Sequence, residues 1–349
     1  MDRRFLLLVL FEAACSRGEA PAGRAIALAG DSASVSAAGA PATVTTPTRG
    51  RAAGPGAGST ASGAIASATT QLQGRIPVLE YHVIGGDKNT LYTRTAASYR
   101  DDLEAAYKLG YRPITIAQLL DKDFREVPAG MSPVVVVFDD ASDSQFRYLE
   151  KDGTLVVDPT SGLGIWEEFA RTHPGWKNGA VFCMLNGGAA GHNFFGDQPK
   201  YNGQKNEWRL RKVKYLADRG HELCSHTLWH AKLNKYPDNV VQEQIARNAM
   251  GIDSAVPGYR IRTMALPYGL WPKNRALAWQ GSWTDPRTGK PHSYKFDAVL
   301  EVAGGPTRSP YDPQFNPKSI NRIEAIGDDI VKALTRLQQN NTRMVIGGK

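Results

Sequence analysis

Three short clusters hold the residues whose types and spacing suit hydrolysis. Asp139-Asp140 follows directly on the apolar, β-branched run 134–138. Two carboxylates in succession at a strand end point in different directions, so one can hold a cation while the other handles a proton. His226 and His230 are four residues apart. On a helix that spacing puts both imidazoles on one face, within reach of one cation. In Leu266-Pro267-Tyr268-Gly269 the proline fixes a turn and the glycine frees it, which turns the N–H of Tyr268 towards a reacting oxygen. Acid pairs in loops and packed histidines are common without function, but here the run before the acids has the composition of a strand buried on both faces.

These clusters need a frame, and the chain supplies one. Short β-rich runs alternate with helical patterns over residues 75–349, the pattern of parallel βα units. Strands are predicted at 76–82, 134–138, 180–185, 221–224, 263–266, 298–302 and 319–323. Helices are predicted at 99–109, 208–219, 240–250 and 328–338, the first and second stopping at Gly110 and Gly220. The 275 residues of this body fit a single (β/α) barrel, whose chemistry lies where strands end and βα loops begin. Each cluster falls at such a strand end, and so does His82. Loops 141–164 and 187–195, the latter with His192, are expected to wall the mouth. His173, before Pro174, reads as a helix-end residue, and His292 as a solvated loop residue. Trp229, inside the histidine cluster, is a candidate binding residue, whereas Trp279 and Trp283 read as packed side chains. Cys183 and Cys224 lie on strands expected to be neighbours and read as buried free thiols.

The N-terminal part is different. Met1-Asp2-Arg3-Arg4, an apolar stretch over 5–11 and Ala13-Ala14 before Cys15 have the order of a signal peptide over 1–15. A cysteine after small residues resembles a lipoprotein signal, although Glu12 departs from it, and a lipid on Cys15 would be the chain's one attachment to a membrane. Over residues 16–74, 45 of 59 are Ala, Gly, Ser, Thr or Pro and none is aromatic. Such a stretch cannot bury enough apolar surface to offset its ordering entropy and reads as a disordered tether. The sequence thus implies an exported protein of the cell envelope or a secreted one. The net charge is +8, of which residues 1–74 contribute six Lys/Arg against four Asp/Glu. The remaining excess is spread along the chain, so no nucleic-acid partner is indicated.

Taken together, the clusters resemble the polysaccharide deacetylase family (carbohydrate esterase family four, the NodB homology domain) over most of residues 76–338. Residues 77–82 are similar to its first strand, Phe138-Asp139-Asp140 to its first motif, and residues 179–182 to its next strand. Gly220 through His230 resembles the second motif, and Pro267-Tyr268-Gly269 the third. The resemblance implies a distorted (β/α) barrel and removal of acetyl groups from an N- or O-acetylated polysaccharide. It implies one divalent ion, zinc by ligand type, on Asp140, His226 and His230. Asp139 would be the general base, the Tyr268 N–H the oxyanion donor, and Pro267, Tyr268 and Trp229 substrate contacts.

Four departures accompany the match. Ala141 stands where the family has glycine, and Ala265 where many members carry an arginine that orients the base. No Asp-x-x-Asp-Trp motif is evident. Ile320-Asn321-Arg322 takes the place of Leu-x-His, whose histidine is the general acid. Arginine cannot release a proton near neutral pH, so Arg322 is expected to act on charge only, leaving His82, the water of the metal site or Asp139 as proton donor. The other readings are a carbohydrate-binding pseudoenzyme and an envelope scaffold; an intact base and ligand trio favour an enzyme.

Overall fold

A computed structural model describes residues 71–186 and 204–347. The signal peptide, Cys15, nearly all of the tether and the loop with His192 lie outside the described residues.

Seven parallel strands close into a barrel: β1 (Val78–Tyr81), β2 (Ser132–Phe138), β3 (Val181–Met184), β4 (Glu222–Ser225), β5 (Thr263–Ala265), β6 (Ala298–Gly304) and β7 (Ile320–Glu324). Each pairs with the next, and β7 returns to β1. This is the distorted (β/α) barrel expected from the sequence. Alternation along β2 divides its side chains between two cores. Val135 and Val137 join the group lining the barrel interior, with Val181, Ala265, Ala298 and Leu300. Val134, Val136 and Phe138 join the layer beneath the helices.

The outer helices are α1 (Ala96–Lys108), α2 (Gly162–Thr172), α3 (Arg209–Asp218), α4 (Asp238–Ala255) and α5 (Asp329–Gln339). Their starts are chemically marked. The Thr95 Oγ1 accepts from the Ser98 N–H at the start of α1, and the Ser161 Oγ from the Gly164 N–H at the start of α2. Leu103 and Ala106 of α1 and Ile330 and Leu334 of α5 face the shared core. His173 ends α2, as expected. Between β5 and β6 a hairpin, Gln280–Thr284 with Pro291–Lys295, stands against α4 where a helix would otherwise be. His292 therefore sits in a strand rather than in a loop.

Gln71 bridges to Val345, and Arg75–Ile76 pairs with Thr307–Arg308. Residues 71–74 thus run with the body, at the end of the barrel opposite the strand C-termini.

The free-thiol expectation for Cys183 and Cys224 is overturned, because the two sulfurs are bonded. The physical reason is register: the cysteines are direct partners on β3 and β4, with Cα atoms 4.2 Å apart. The bond closes a loop of 41 residues in sequence. A Cys183→Ala/Cys224→Ala variant is expected to lose about 2–4 kcal/mol of stability. Denaturant midpoints of the two proteins check this, and equal midpoints would show that the bond contributes nothing.

Candidate active site

At the C-terminal end of β2 the two carboxylates diverge. Asp139 turns inward and is 1% exposed, whereas Asp140 turns towards the loop after β4. Asp140 and Ala141 both have left-handed backbone, φ 70° and 48°, which redirects the chain within two residues.

His226 follows β4 and is fully enclosed. Its Nδ1 bonds the Ala265 carbonyl at 2.9 Å, which fixes the ring so that Nε2 faces the cavity. That Nε2 lies 3.3 Å from Asp140 Oδ1, and His230 Nε2 lies 3.4 Å from the same oxygen. The His226–His230 pair does not sit on a helix, contrary to the spacing argument. It spans a loop in which Thr227 and His230 have φ of 68° and 58°. The loop folds back because Gln244 of α4 accepts the Trp229 N–H and Thr227 Oγ1 accepts the Ala231 N–H. Tyr268 adds a further left-handed residue, φ 56°, in the turn Pro267–Gly269, and its ring centroid lies 4.3 Å from that of His230. Asp140, Ala141, Thr227, His230 and Tyr268 account for five of the eight left-handed non-glycine residues among those described.

The residues fit a cation. One oxygen and two imidazole nitrogens converge within 4.8 Å of one another. Asp140 Oδ1 and His226 Nε2 are buried with no hydrogen-bond partner, a costly state unless something occupies the space between them. Ligand separations near 3.3–3.4 Å suit tetrahedral coordination at about 2.0–2.1 Å. Burial, then the neighbouring His226, lowers His230 to about 4, which keeps its imidazole neutral as ligation requires.

Behind this trio lies a charge cluster that the sequence reading missed in part. Arg322 on β7 is fully buried, and its Nη1 donates to both Asp139 oxygens at 2.9 Å. Its Nη2 lies 3.1 Å from Glu80 Oε1, and its Nε donates to the Glu301 carbonyl. The arginine absent at 265 thus has a counterpart entering from another strand. Burial works to raise the Asp139 carboxyl, but Arg322, with His226 and His82, outweighs it and holds the group well below the usual carboxylate range. Burial pushes Glu80 well above that range against the pull of Arg322, so a proton stays more readily on Glu80 than on Asp139. Glu80 was legible only as an acid in an otherwise apolar strand. Gln145, also missed, ties the strand ends together by donating to the carbonyls of His82 and Asp139 at 2.6 and 2.5 Å.

One cavity of about 370 Å³ is lined by Glu80, His82, Asp139, Asp140, His226, His230 and Tyr268 among others. Every residue singled out for the site except Pro267, Trp229 and Arg322 lines it directly. Pro267 is buried in the turn beneath Tyr268, Trp229 is 40% exposed in the adjoining depression, and Arg322 lies behind Asp139. Burial lowers the His82 imidazole despite the nearby Asp139 and Asp140, and Tyr92 packs edge-on against it with centroids 5.3 Å apart.

A family model described as polysaccharide deacetylase matches residues 179–280, the stretch holding β3, β4, both histidines and the Pro267–Gly269 turn. Over that segment the chain is similar to the polysaccharide deacetylase family. The fold agrees with that of solved deacetylase structures. The Streptococcus pyogenes deacetylase PplD in complex with acetate superposes with TM-score 0.52 at 15% identity, covering 76% of this chain and 98% of that one. A polysaccharide deacetylase from Bacillus cereus gives 0.51 at 14%, covering 76% and 69%. IcaB from Ammonifex degensii gives 0.50 at 16%, covering 77% and 100%. No curated protein matches the sequence. Asp139, Asp140 and Arg322 lie outside the segment matched by the family model, and it is the closing of the barrel that brings them together with His226 and His230.

Proposed function

We propose that the chain removes acetyl groups from an acetylated cell-envelope or extracellular polysaccharide, with one divalent ion, zinc by donor set, held by Asp140, His226 and His230. The observation that carries this reading is the pairing of two orphaned ligand atoms with a base locked by Arg322 in one cavity. When bound, the ion would polarise the acetyl carbonyl and acidify water. Asp139 faces the same space, its Oδ2 3.8 Å from His226 Nε2, and takes a proton from the attacking water. Arg322 keeps that carboxylate ionised and fixed in direction. The Tyr268 N–H donates to the oxygen on which negative charge develops. The departing amine needs a proton. Asp139 holds one after the first step and can return it, while His82 on the cavity wall is the second candidate donor. Export is supported by the Cys183–Cys224 bond, since disulfides persist in oxidising compartments. A lipid on Cys15 and a signal over 1–15 remain part of this proposal.

Acetate release from N-acetylglucosamine oligomers and O-acetylated xylan, with and without a chelator, tests the reading. His230→Ala is expected to lower zinc occupancy and acetate release at least about tenfold with little change in melting temperature. Full turnover after exhaustive chelation would refute it.

A further inference from the structure

Four aromatic side chains are exposed among the described residues: Tyr92 at 55%, Tyr268 at 48%, and Trp229 and Tyr236 at 40% each. All four lie on one surface. Tyr92 and Tyr268 edge the catalytic cavity, and Trp229 and Tyr236 line a depression of about 410 Å³ that shares His230 with it. Exposed aromatic rings are uncommon on a soluble surface, and their confinement to one groove marks a binding site. The shape of this extension is fixed. Leu233 is buried beneath it, and the Trp229 N–H is held by Gln244.

The extension also has a sign. Its remaining lining includes Lys232 and Lys235 and no acidic side chain. Neither lysine forms an ion pair among the described residues, and Lys232 Nζ stands 5.1 Å from the centroid of the Tyr268 ring. The other end of the groove, by contrast, holds Glu80 and Glu324. A neutral glycan would need the aromatic faces but would leave two cations unused beside them.

We infer that the Trp229–Tyr236 depression is a subsite for a sugar next to the one being deacetylated, and that this sugar bears an anionic substituent, a carboxylate or a phosphate, between Lys232 and Lys235. The inference rests on the deacetylase reading and narrows its substrate class to acidic acetylated polysaccharides. The sugar ring stacks on Trp229 or Tyr236, and the anion makes two solvent-exposed charge contacts, which give selectivity more than raw affinity.

The test compares three acetylated oligomers of equal length: neutral N-acetylglucosamine, one alternating with a uronic acid, and one alternating with a sugar phosphate. Acetate release and equilibrium binding are both measured on the full chain, at low and high salt. The expected result is a preference of roughly tenfold in kcat/KM for at least one anionic oligomer, carried mainly by KM and shrinking with salt. In Lys232→Gln/Lys235→Gln that preference should collapse towards unity. The carboxylate and phosphate arms identify the anion. Equal kcat/KM for all three oligomers, or a preference that survives in the double variant, overturns the inference and leaves the deacetylase reading standing. Lysine-dependent binding of an anionic oligomer with no acetate release supports the subsite and overturns the deacetylase reading.

Discussion

Asp139→Asn should lower kcat by about 10²–10⁴-fold, the range of a lost general base or acid, with a much smaller change in KM. The amide has the shape of the carboxylate but cannot take the proton. It also cannot neutralise Arg322, whose Nη1 contacts both Asp139 oxygens. Because Asp139 is assigned both halves of the proton transfer, its loss is not compensated by His82. His82→Ala then serves as the control: it falls within the same range only if His82 is the donor to the amine. Single-turnover acetate release from one oligomer decides between them. A near wild-type rate for Asp139→Asn sinks the mechanism, whatever the fold.

Arg322→Met should be the most destabilising change at the site, by about 3–5 kcal/mol at neutral pH, because removing one partner leaves buried charge uncompensated. Asp139 is held below the usual carboxylate range in the native protein. Its contribution is therefore present above the unfolded value of about 4 and lost as pH falls through the lower folded value. Without Arg322 that contribution is gone, so the gap between the two proteins should be widest near neutrality and narrow in acid. Chemical denaturation at several pH values measures it. Activity should fall as well, and Arg322→Lys should restore little, since one ammonium cannot grip Asp139, Glu80 and the Glu301 carbonyl together. A gap independent of pH would mean that the pairing with Asp139 is not what stabilises the native state.

The placement of Asp140, His226 and His230 was legible in the sequence because each follows a strand that announces itself by composition, while the choice of Asp140 over Asp139 as the proposed ligand came from the family resemblance. The run 134–138 and the Gly220 stop before β4 place them on one rim without any long-range information. The arrangement behind them was not legible. Arg322 and Asp139 are 183 residues apart, and they meet only because β7 and β2 both flank β1 in the closed barrel. From sequence, Arg322 stood where the family has an acid histidine, and nothing local pointed it at the base. Register hid the disulfide in the same way: neighbouring strands were expected, but direct pairing of Cys183 with Cys224 is a one-residue matter. The hairpin between β5 and β6 was missed because its Gly/Pro-rich sequence carries a weak strand signal. The helical reading of His226 and His230 failed because spacing alone cannot tell a helix from a loop held by Gln244.

Five left-handed residues shape the loops around the cavity, and each such turn costs of order 1 kcal/mol or more for a side chain other than glycine. A chain without its barrel has no reason to adopt them. For the proposed ion the order of events follows: folding would come first and capture second. A polypeptide in transit through a membrane, still unfolded, would carry Asp140, His226 and His230 as three unrelated side chains, unable to compete for scarce zinc or to seize the wrong ion. Under the proposed export, the proposed ion would then be acquired from whatever the destination compartment offers.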